Sequence, residues 1–550
     1  MHSTTGTQQQ QVPVLQYKQG MATKEEKRLG GIAWAGLLVG SKNPNNLGYR
    51  YSHEHKRYKK TGDDETNTEI PSNMVVLLQN REGEALGEQL DLPTNSSVDD
   101  LSALVHSLKD ESDDKRIPYS FYAKVTRNGV EDDIEVTTTI LDLLKDNNIS
   151  TEQVLKLTYQ PLAVFRVRPV TRCTDTMPGH TEAILHVSYS PDGSYLASGG
   201  GDTTVRFWDV NTSLPKFTCA GHKNHVLCTA WSPDGTKFVS GDKNGVIILW
   251  NPVTGKAIGS PKKAHPKWIT SFAWEPLHAN PSGERLATSS KDSTVKIWNT
   301  RTQMALITLS GHLDSVECVK WGGQGLLYTA SRDRTIKVWT ADGVDLGKLV
   351  RTLTGHAHRI NTLAISCDYV TRTGPYDHRG KVYQQIEDKQ EAAKQKYEDM
   401  MGGEPERLVS GSDDFTLFLW HPKVDKHPVK RMTGHQQIVN HLQFSPDGRY
   451  LASASFDKKV KLWNGKSGDF ISTMTGHVGA VYQVAWSPDS RFLVSASKDS
   501  TAKLWEIPSG KRARETLPGH ADEVYALDWA PNGASLATGS KDRTIKIWKN

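Results

Sequence analysis

One pattern constrains this chain most: a histidine, an aspartate and a tryptophan return eight times at fixed offsets. The repeats open on seven Gly-His pairs and one Ala-His pair: Gly179-His180, Gly221-His222, Ala264-His265, Gly311-His312, Gly355-His356, Gly434-His435, Gly476-His477 and Gly519-His520. They close on Trp208, Trp250, Trp298, Trp339, Trp420, Trp463, Trp505 and Trp548. Six residues earlier stand Asp202, Asn244, Asp292, Asp333, Asp414, Asp457, Asp499 and Asp542. A period of 41 to 48 residues, apart from a longer fifth repeat, predicts a repeat architecture.

Within each repeat, short alternating stretches are separated by turn signals such as Ser190-Pro191-Asp192-Gly193. This pattern predicts a four-stranded antiparallel blade. The repeats resemble the WD40 family, although only Trp208-Asp209 spells that dipeptide. The predicted fold class is therefore mainly β, with an eight-bladed WD40 β-propeller over residues 161–550 preceded by a small α+β domain.

The resemblance to WD40 proteins implies a structural relay of hydrogen bonds in each blade. In the seventh repeat its members are His477, Asp499, Ser495 and Trp505. Removing one member would leave a buried polar group unpaired, at a cost of roughly 1 to 3 kcal/mol. Eightfold repetition argues against a hydrolase site built from the same residue types.

Two segments of the propeller depart from a simple repeat. The eighth repeat ends at Trp548 without a fourth strand, and Ala163–Cys173 has the length and alternation to supply it. We expect this segment to close the ring, which would remove a free sheet edge. The fifth repeat carries an insertion at about 368–407, in which Gln385–Met401 reads as a charged helix that ends at Gly402-Gly403. Such an insertion is either functional or a solvated excursion.

Residues 73–160 predict a separate domain. Strands are expected at Met74–Leu78, Leu90–Leu92, Pro118–Val125 and Val154–Tyr159. A helix begins near Ser96 and Asp99 and continues through Leu101, Leu104, Val105 and Leu108, and a shorter helix covers Ile140–Leu144. The arrangement resembles a ubiquitin-like β-grasp domain. The chain continues into the propeller without a Gly-Gly end, so we expect a docking module and not a conjugated modifier.

Charge and the remaining motifs narrow the class of function. Residues 73–160 carry a net charge of -9. Residues 161–550 carry a net charge of +11, and this positive charge suits either an anionic partner such as RNA or a solvated surface.

Residues 1–72 predict a disordered or atypical extension, and the apolar run at 31–40 is half the length of a membrane span. Five scattered cysteines favour a reducing compartment. Neither His53-Glu54-His55 nor Gly465-Lys466-Ser467 has the spacing of a zinc or phosphate site, so no enzyme is predicted.

Three further stretches make the resemblance specific. These are residues 159–172 (YQPLAVFRVRPVTR), residues 320–326 (KWGGQGL) in the fourth repeat, and Asp368-Tyr369-Val370 at the start of the insertion. Together with the domain order they resemble the Notchless family of ribosome assembly factors over residues 74–550. The resemblance implies a nuclear and nucleolar protein that binds precursors of the large (60S) ribosomal subunit.

The family resemblance also implies a partner ATPase. In that family the ubiquitin-like domain docks the metal-ion-dependent adhesion site (MIDAS) of midasin, an AAA ATPase. The corresponding loop here is Ser150-Thr151-Glu152, whose Glu152 would complete the partner's Mg²⁺ site. No cofactor of the chain's own, no membrane and no small-molecule substrate are expected. Mg²⁺ prefers six hard oxygen ligands, so an incoming carboxylate can fill an open position.

The propeller surface that holds the particle is expected where blade loops converge. Basic and aromatic residues stand just after the blade histidine, at Lys267-Trp268 and His358-Arg359. We expect these four residues to lie on the rim of the ring. The alternative function is a ubiquitin-ligase substrate receptor or a signalling scaffold, for example in the Notch pathway, because both classes also pair a propeller with a docking domain.

Overall fold

The computed structural model describes residues 72–80, 84–109, 119–127, 130–136, 138–147, 154–161, 165–381, 383, 385–507 and 512–550. The described chain forms two compact units whose boundary lies between Val167 and Arg168, seven residues beyond the boundary expected at 160. No helix in these ranges is long and apolar enough to cross a membrane. The expected extension at 1–72 lies almost wholly outside the described residues.

The N-terminal unit is one mixed sheet with two helices. Its elements are β1 (Asn73–Gln79), β2 (Leu90–Pro93), α1 (Val98–Leu108), β3 (Tyr119–Arg127), β4 (Val130–Glu135), α2 (Ile140–Asn147) and β5 (Leu155–Pro161). The strand order is β2-β1-β5-β3-β4, with β1 and β5 parallel. Strand β4 was not expected from the sequence, and it pairs along β3 from Tyr122 to Arg127. Leu101 and Val105 of α1 pack with Val76, Phe121 and Leu157 in the core.

The start of α1 lies one residue later than the sequence predicts. Ser97, not Ser96, caps the helix, and its Oγ accepts a hydrogen bond from the backbone N–H of Asp100. The Asp100 carboxylate in turn accepts from the backbone N–H of Ser97 at 2.9 Å, which completes a capping box. Ser96 is buried and donates instead to the Pro93 carbonyl at 2.7 Å. Ser96 and Ser97 are equally suited to cap a helix, and the turn after β2 places Ser97 at the capping position.

The C-terminal unit is a closed ring of eight blades around a central channel. The inner strands of blades one to eight are β7 (Ile184–Tyr189), β11 (Val226–Trp231), β16 (Ile269–Trp274), β20 (Val316–Trp321), β24 (Ile360–Ile365), β28 (Val439–Phe444), β32 (Val481–Trp486) and β36 (Val524–Trp529). Neighbouring inner strands touch in this order, and β36 touches β7. Blades four and eight therefore lie on opposite sides of the ring.

Each blade continues outward as an antiparallel sheet. The second strands are β8 (Tyr195–Gly200), β12 (Phe238–Asp242), β17 (Arg285–Ser290), β21 (Leu326–Ser331), β25 (Leu408–Ser412), β29 (Tyr450–Ser455), β33 (Phe492–Ser497) and β37 (Leu536–Ser540). The third strands are β9 (Thr204–Asp209), β13 (Val246–Asn251), β18 (Val295–Asn299), β22 (Thr335–Thr340), β26 (Leu417–Trp420), β30 (Val460–Asn464), β34 (Ala502–Glu506) and β38 (Thr544–Lys549). The outer strands are β10 (Pro215–Ala220), the split pair β14 (Lys256–Ala257) and β15 (Lys262–Lys263), β19 (Met304–Leu309), β23 (Leu349–Thr354), β27 (Lys430–Met432), β31 (Phe470–Met474), β35 (Glu515–Leu517) and β6 (Arg172–Pro178).

An N-terminal strand does close the eighth blade, but the expected segment was wrong. Strand β6 pairs with β38 over Arg172–Pro178, whereas Ala163–Cys173 was predicted. The two ranges share only Arg172 and Cys173. Residues 165–171 are irregular and run up to the first pairing of Arg172 with Lys549. The connection between β5 and β6 is therefore ten residues long instead of about four.

The insertion in blade five contains two helices, of which the sequence predicts one. The expected helix is α4 (Ile386–Met401), and Gly402 ends it in the left-handed conformation with φ 55°. The unexpected helix is α3 (Asp368–Thr373), which directly follows β24. Its short length hid it, because six residues cannot show a helical period.

Candidate functional site

The relay geometry recurs around the ring and is structural. In blade seven the Nδ1 of His477 donates to Asp499 at 2.8 Å, Ser495 Oγ bonds Nε2 at 2.7 Å, and the indole of Trp505 donates to that hydroxyl at 2.9 Å. The second blade differs from the expectation. Its Asn244 bonds Asn224, and Asp242 lies 3.3 Å from His222 Nδ1 in its place. The histidine, serine and tryptophan of the blade-seven relay are buried and the aspartate is half-buried, so the relay is part of the packing of the blade.

The relay aspartates make stability sensitive to acid. Burial alone would raise the pKa of Asp499, but hydrogen bonds from His477 and Thr501 outweigh burial and hold the pKa well below its usual range. The pKa values of the other six relay aspartates are lowered in the same way. Between their folded and unfolded pKa values the unfolded chain binds more protons. This stabilisation is therefore present above about pH 4 and lost as the pH falls through the folded values.

We expect the free energy of unfolding to fall steeply as the pH drops from about 4 to about 2, and to fall less steeply in Asp499→Asn. One such carboxylate contributes up to about 1.4 kcal/mol per pH unit to the slope. Urea unfolding at each pH, followed by tryptophan fluorescence, measures how the free energy of unfolding changes with pH. Asp345→Asn removes an exposed carboxylate and serves as control. An unchanged slope in Asp499→Asn would contradict the role of the relay.

One backbone hydrogen bond in each blade brings two loop residues together at one end of the channel. The N–H of the residue before the relay aspartate, or before Asn244 in blade two, donates to the carbonyl of the third residue after the histidine. We call these sixteen residues the rim. The pairs are Ala183 with Gly201, His225 with Lys243, Trp268 with Lys291, Ser315 with Arg332, Arg359 with Asp413, Ile438 with Phe456, Ala480 with Lys498, and Glu523 with Lys541.

Two of the predicted surface residues, Lys267 and Trp268, belong to this end of blade three. Lys267 is exposed and Trp268 is half-buried. The ammonium of Lys291 lies 3.9 Å from the centre of the Trp268 ring, and that of Lys243 lies 4.9 Å from it. Cation–π attraction therefore keeps two lysines of neighbouring blades at one indole.

Positive charge accumulates at this indole. Burial is the largest cause that lowers the pKa of Lys291, and the nearby cations Arg332, Lys243 and Arg359 lower it further, against Glu317, to about 8. A bound anion would relieve this repulsion and hold Lys291 protonated. The position therefore suits a phosphate or carboxylate group.

The other predicted pair, His358 and Arg359, lies in blade five. His358 is exposed, with Nδ1 3.6 Å from Asp413, and Arg359 donates to the same buried carboxylate. In blade four Arg332 donates to the buried Glu317 at 2.6 Å. The two arginines are thus partly neutralised, whereas Lys243 and Lys291 face the indole. We call Lys243, Lys267, Lys291, Arg332 and Arg359 the basic arc.

Three aromatic side chains on the opposite side of the channel, at the same end, were not predicted from the sequence. Phe456, Tyr482 and Tyr525 lie there in sequence order, with ring centres 6.0 and 5.6 Å apart. The Tyr482 hydroxyl donates to Glu523 at 2.7 Å. A signal was present, because both tyrosines directly follow the first valine of an inner strand. The basic arc lies on blades two to five and this aromatic arc on blades six to eight, so together they line most of the channel mouth.

The far end of the channel is covered by the insertion, and the motifs of the family resemblance meet there. Lys320 of KWGGQGL pairs with Asp368, the residue that opens the insertion, at 2.8 Å. Glu406 is buried and accepts hydrogen bonds from the N–H of Gly323 at 2.6 Å, the Tyr397 hydroxyl at 2.8 Å and the Tyr328 hydroxyl at 3.0 Å. A Cβ on Gly323 would overlap the Tyr397 ring. The glycine motif therefore makes room for the insertion.

The predicted metal-binding loop Ser150-Thr151-Glu152 lies outside the described residues, between the last residue of α2 and the first of β5. Its role stays a prediction. Among the described residues no group of three or more histidine, cysteine, aspartate or glutamate side chains could hold a metal ion.

Two family models match this chain, one in the propeller and one in the N-terminal unit. The model described as "WD domain, G-beta repeat" matches residues 171–209, 213–251, 257–299, 304–340, 426–464, 468–506 and 511–549. The model described as "NLE (NUC135) domain" matches residues 74–144. The blade that the first model does not match is the fifth, which carries the insertion.

Three relatives cover most of the chain. Protein Notchless of Drosophila melanogaster is 48% identical over 398 residues, which is 71% of this chain and 78% of that protein. The Notchless protein homolog of Arabidopsis thaliana is 52% identical over 74% of this chain and 83% of that protein. Ribosome assembly protein 4 of Saccharomyces cerevisiae is 45% identical over 71% and 77%. A crystal structure of the computationally designed Ika8 protein matches with TM-score 0.53 and 24% identity, over 68% of this chain and 98% of that one, which shows the fold alone.

Proposed function

This chain belongs to the Notchless family, and from that membership we propose that it is a non-catalytic assembly factor of the large (60S) ribosomal subunit. The name of the yeast relative, a ribosome assembly protein, supports the process. A nuclear and nucleolar location follows from it, because large-subunit precursors are made there. The propeller would bind the pre-60S particle, and the ubiquitin-like domain would dock the MIDAS domain of midasin.

The basic arc at the channel mouth is the observation that supports binding of the pre-60S particle by the propeller. Its lysines converge from blades two and three on one indole, where burial and like charges lower the pKa of Lys291 to about 8. Carboxylates already pair with Arg332 and Arg359, and a bound anion would lower the repulsion that remains among the lysines. Ribosomal RNA offers phosphates at close spacing, which suits five basic groups spread over four blades.

We expect the triple variant Lys243→Gln, Lys267→Gln, Lys291→Gln to bind purified pre-60S particles more weakly. Each phosphate contact that is lost makes the slope of log K against log salt shallower by about one, so three contacts predict a change of about three. The matched control is Lys498→Gln with Lys541→Gln, two rim lysines paired with acids at 4.0 and 3.2 Å. Equal salt slopes for the two variants would show that the contact lies elsewhere.

The midasin part of the proposal rests on Glu152. A carboxylate at the end of a loop can fill an open position on a hard Mg²⁺ ion held by the partner. The Mg²⁺ belongs to the partner site, so the chain itself needs no cofactor for this contact. Force from the ATPase would then act on the particle through the ten residues that join β5 to β6.

Gradient sedimentation of the tagged full chain tests the process. Migration with large-subunit precursors and capture of midasin by the same bait are expected. Migration with a cullin-containing complex, and none with ribosomal precursors, would instead support the ubiquitin-ligase receptor.

A further inference from the structure

Helix α3 crosses the floor of the central channel. The channel has a volume of about 320 Å³ and is lined by all eight inner strands together with Asp368, Thr371, Arg372 and Thr373. The helix contributes a charged residue near each end, Asp368 at its start and Arg372 one turn later. Each of these residues pairs with a different blade.

At one end α3 is joined to blade four. The Lys320 ammonium, on β20, donates to the Asp368 carboxylate at 2.8 Å. Burial opposes the charge of Asp368, but the Lys320 charge and its hydrogen bond outweigh burial, and Arg372 adds to them, so the pKa of Asp368 is lowered. Both groups therefore stay ionised inside the channel.

At the other end α3 is joined to blade eight. The Nη1 of Arg372 donates to both oxygens of Asp528, on β36, at 3.0 and 3.1 Å. One of these oxygens also accepts from the backbone N–H of Tyr189 in blade one at 2.8 Å. Asp528 thus lies where the last blade meets the first, and one carboxylate holds both blades to the helix.

The seam between blades one and eight is the place where the ring can open. It is closed at the outside by β6, whose Arg172 pairs with Lys549 at the end of β38. Tension applied to the chain before Arg172 would break these antiparallel bonds one at a time from that end. Once β6 has peeled away, the seam is held by β36 and β37 of blade eight against β7 of blade one, and by the hydrogen bond between the Tyr189 and Ser535 hydroxyls at 3.0 Å.

The rest of the insertion is attached to three further blades. The Tyr376 hydroxyl donates to the Asp234 carbonyl in blade two at 3.1 Å, and the Tyr397 ring stacks on His278 of blade three at 4.2 Å. Lys466 of blade six donates to Glu404 at 2.7 Å. The insertion can therefore pass load from the seam to most of the ring.

We infer that the blade-five insertion is an internal brace: α3 joins the opposite blades four and eight through ion pairs inside the channel and resists opening of the ring at its seam. This property of the ring is independent of which particle the propeller binds. It also assigns a purpose to a pair, Arg372 and Asp528, that lies 156 positions apart in the sequence.

Hydrogen exchange of the full chain, read by mass spectrometry, tests the brace. In Lys320→Met, peptides that contain β7 and β36 should exchange at least tenfold faster, although the substitution is on the far side of the ring. Breaking this ion pair removes the strongest attraction that holds Asp368 to blade four, and it loosens the helix that holds Asp528. Lys337→Met removes a lysine of blade four that donates to Thr352 of the same blade at 3.2 Å, and it should leave the exchange of β7 and β36 unchanged.

The outcomes separate a brace from local packing. Faster exchange in blade four alone, with β7 and β36 protected as in the wild type, would overturn the inference. Asp528→Asn provides the second variant, because it removes the charge and keeps an oxygen for the Tyr189 N–H. It should accelerate exchange at β7 and β36 and also at β20, and an effect confined to the seam would likewise count against the brace. Asp368→Asn replaces Lys320→Met if the latter does not fold.

Discussion

Glu152→Asp is expected to weaken binding of the full chain to the MIDAS domain of midasin by at least a hundredfold while leaving pre-60S binding intact. The substitution keeps the charge but withdraws the carboxylate by about one bond length. Mg²⁺ demands near-octahedral geometry at about 2.1 Å, so a retracted oxygen cannot complete the site without moving the loop. Titration calorimetry in Mg²⁺, repeated in EDTA, measures both the affinity and its dependence on the metal.

A matched control separates a metal ligand from general acidity. Glu88→Asp makes the same chemical change at an exposed position of the same domain and should bind like the wild type. Wild-type affinity of Glu152→Asp in Mg²⁺ would remove the ligand role. Loss of affinity in both variants would point to the net charge of the domain instead.

Glu406→Ala is expected to lower the free energy of unfolding by about 3 to 5 kcal/mol, because it leaves several buried donors without an acceptor. The Gly323 N–H and two tyrosine hydroxyls lose their partner, and so does the Cys367 thiol, which lies 3.4 Å from the carboxylate. These donors come from both ends of the insertion and from blade four. The loss therefore detaches the insertion as well as removing single hydrogen bonds.

Urea unfolding of the full chain measures this cost. Glu398→Ala removes an exposed carboxylate of α4 that pairs with the exposed Lys394 at 3.8 Å, and it should cost less than about 1 kcal/mol. Equal costs in the two variants would show that the buried carboxylate is no more important than a surface ion pair. Faster proteolysis within α4 in Glu406→Ala alone is the expected companion result.

The sequence by itself determined the repeat, the number of blades and the closure by an N-terminal strand. These features follow from local chemistry: each blade needs the same histidine, aspartate and tryptophan at the same offsets, so periodicity reveals them without knowledge of the neighbours. The helices of the first domain were predictable for the same reason, since Leu101 and Val105 mark one face of α1.

Only the tertiary structure decided which of several locally equivalent residues caps a helix, joins a relay or begins a strand. Ser97 replaced Ser96 as the helix cap, Asp242 took the place of Asn244, and β6 began at Arg172 instead of Ala163. In each case the sequence offers neighbouring candidates of equal propensity, and packing against a distant strand selects one. The pair Arg372 and Asp528 is the extreme case, because its members meet only after the ring has closed and no local pattern records a contact across a channel.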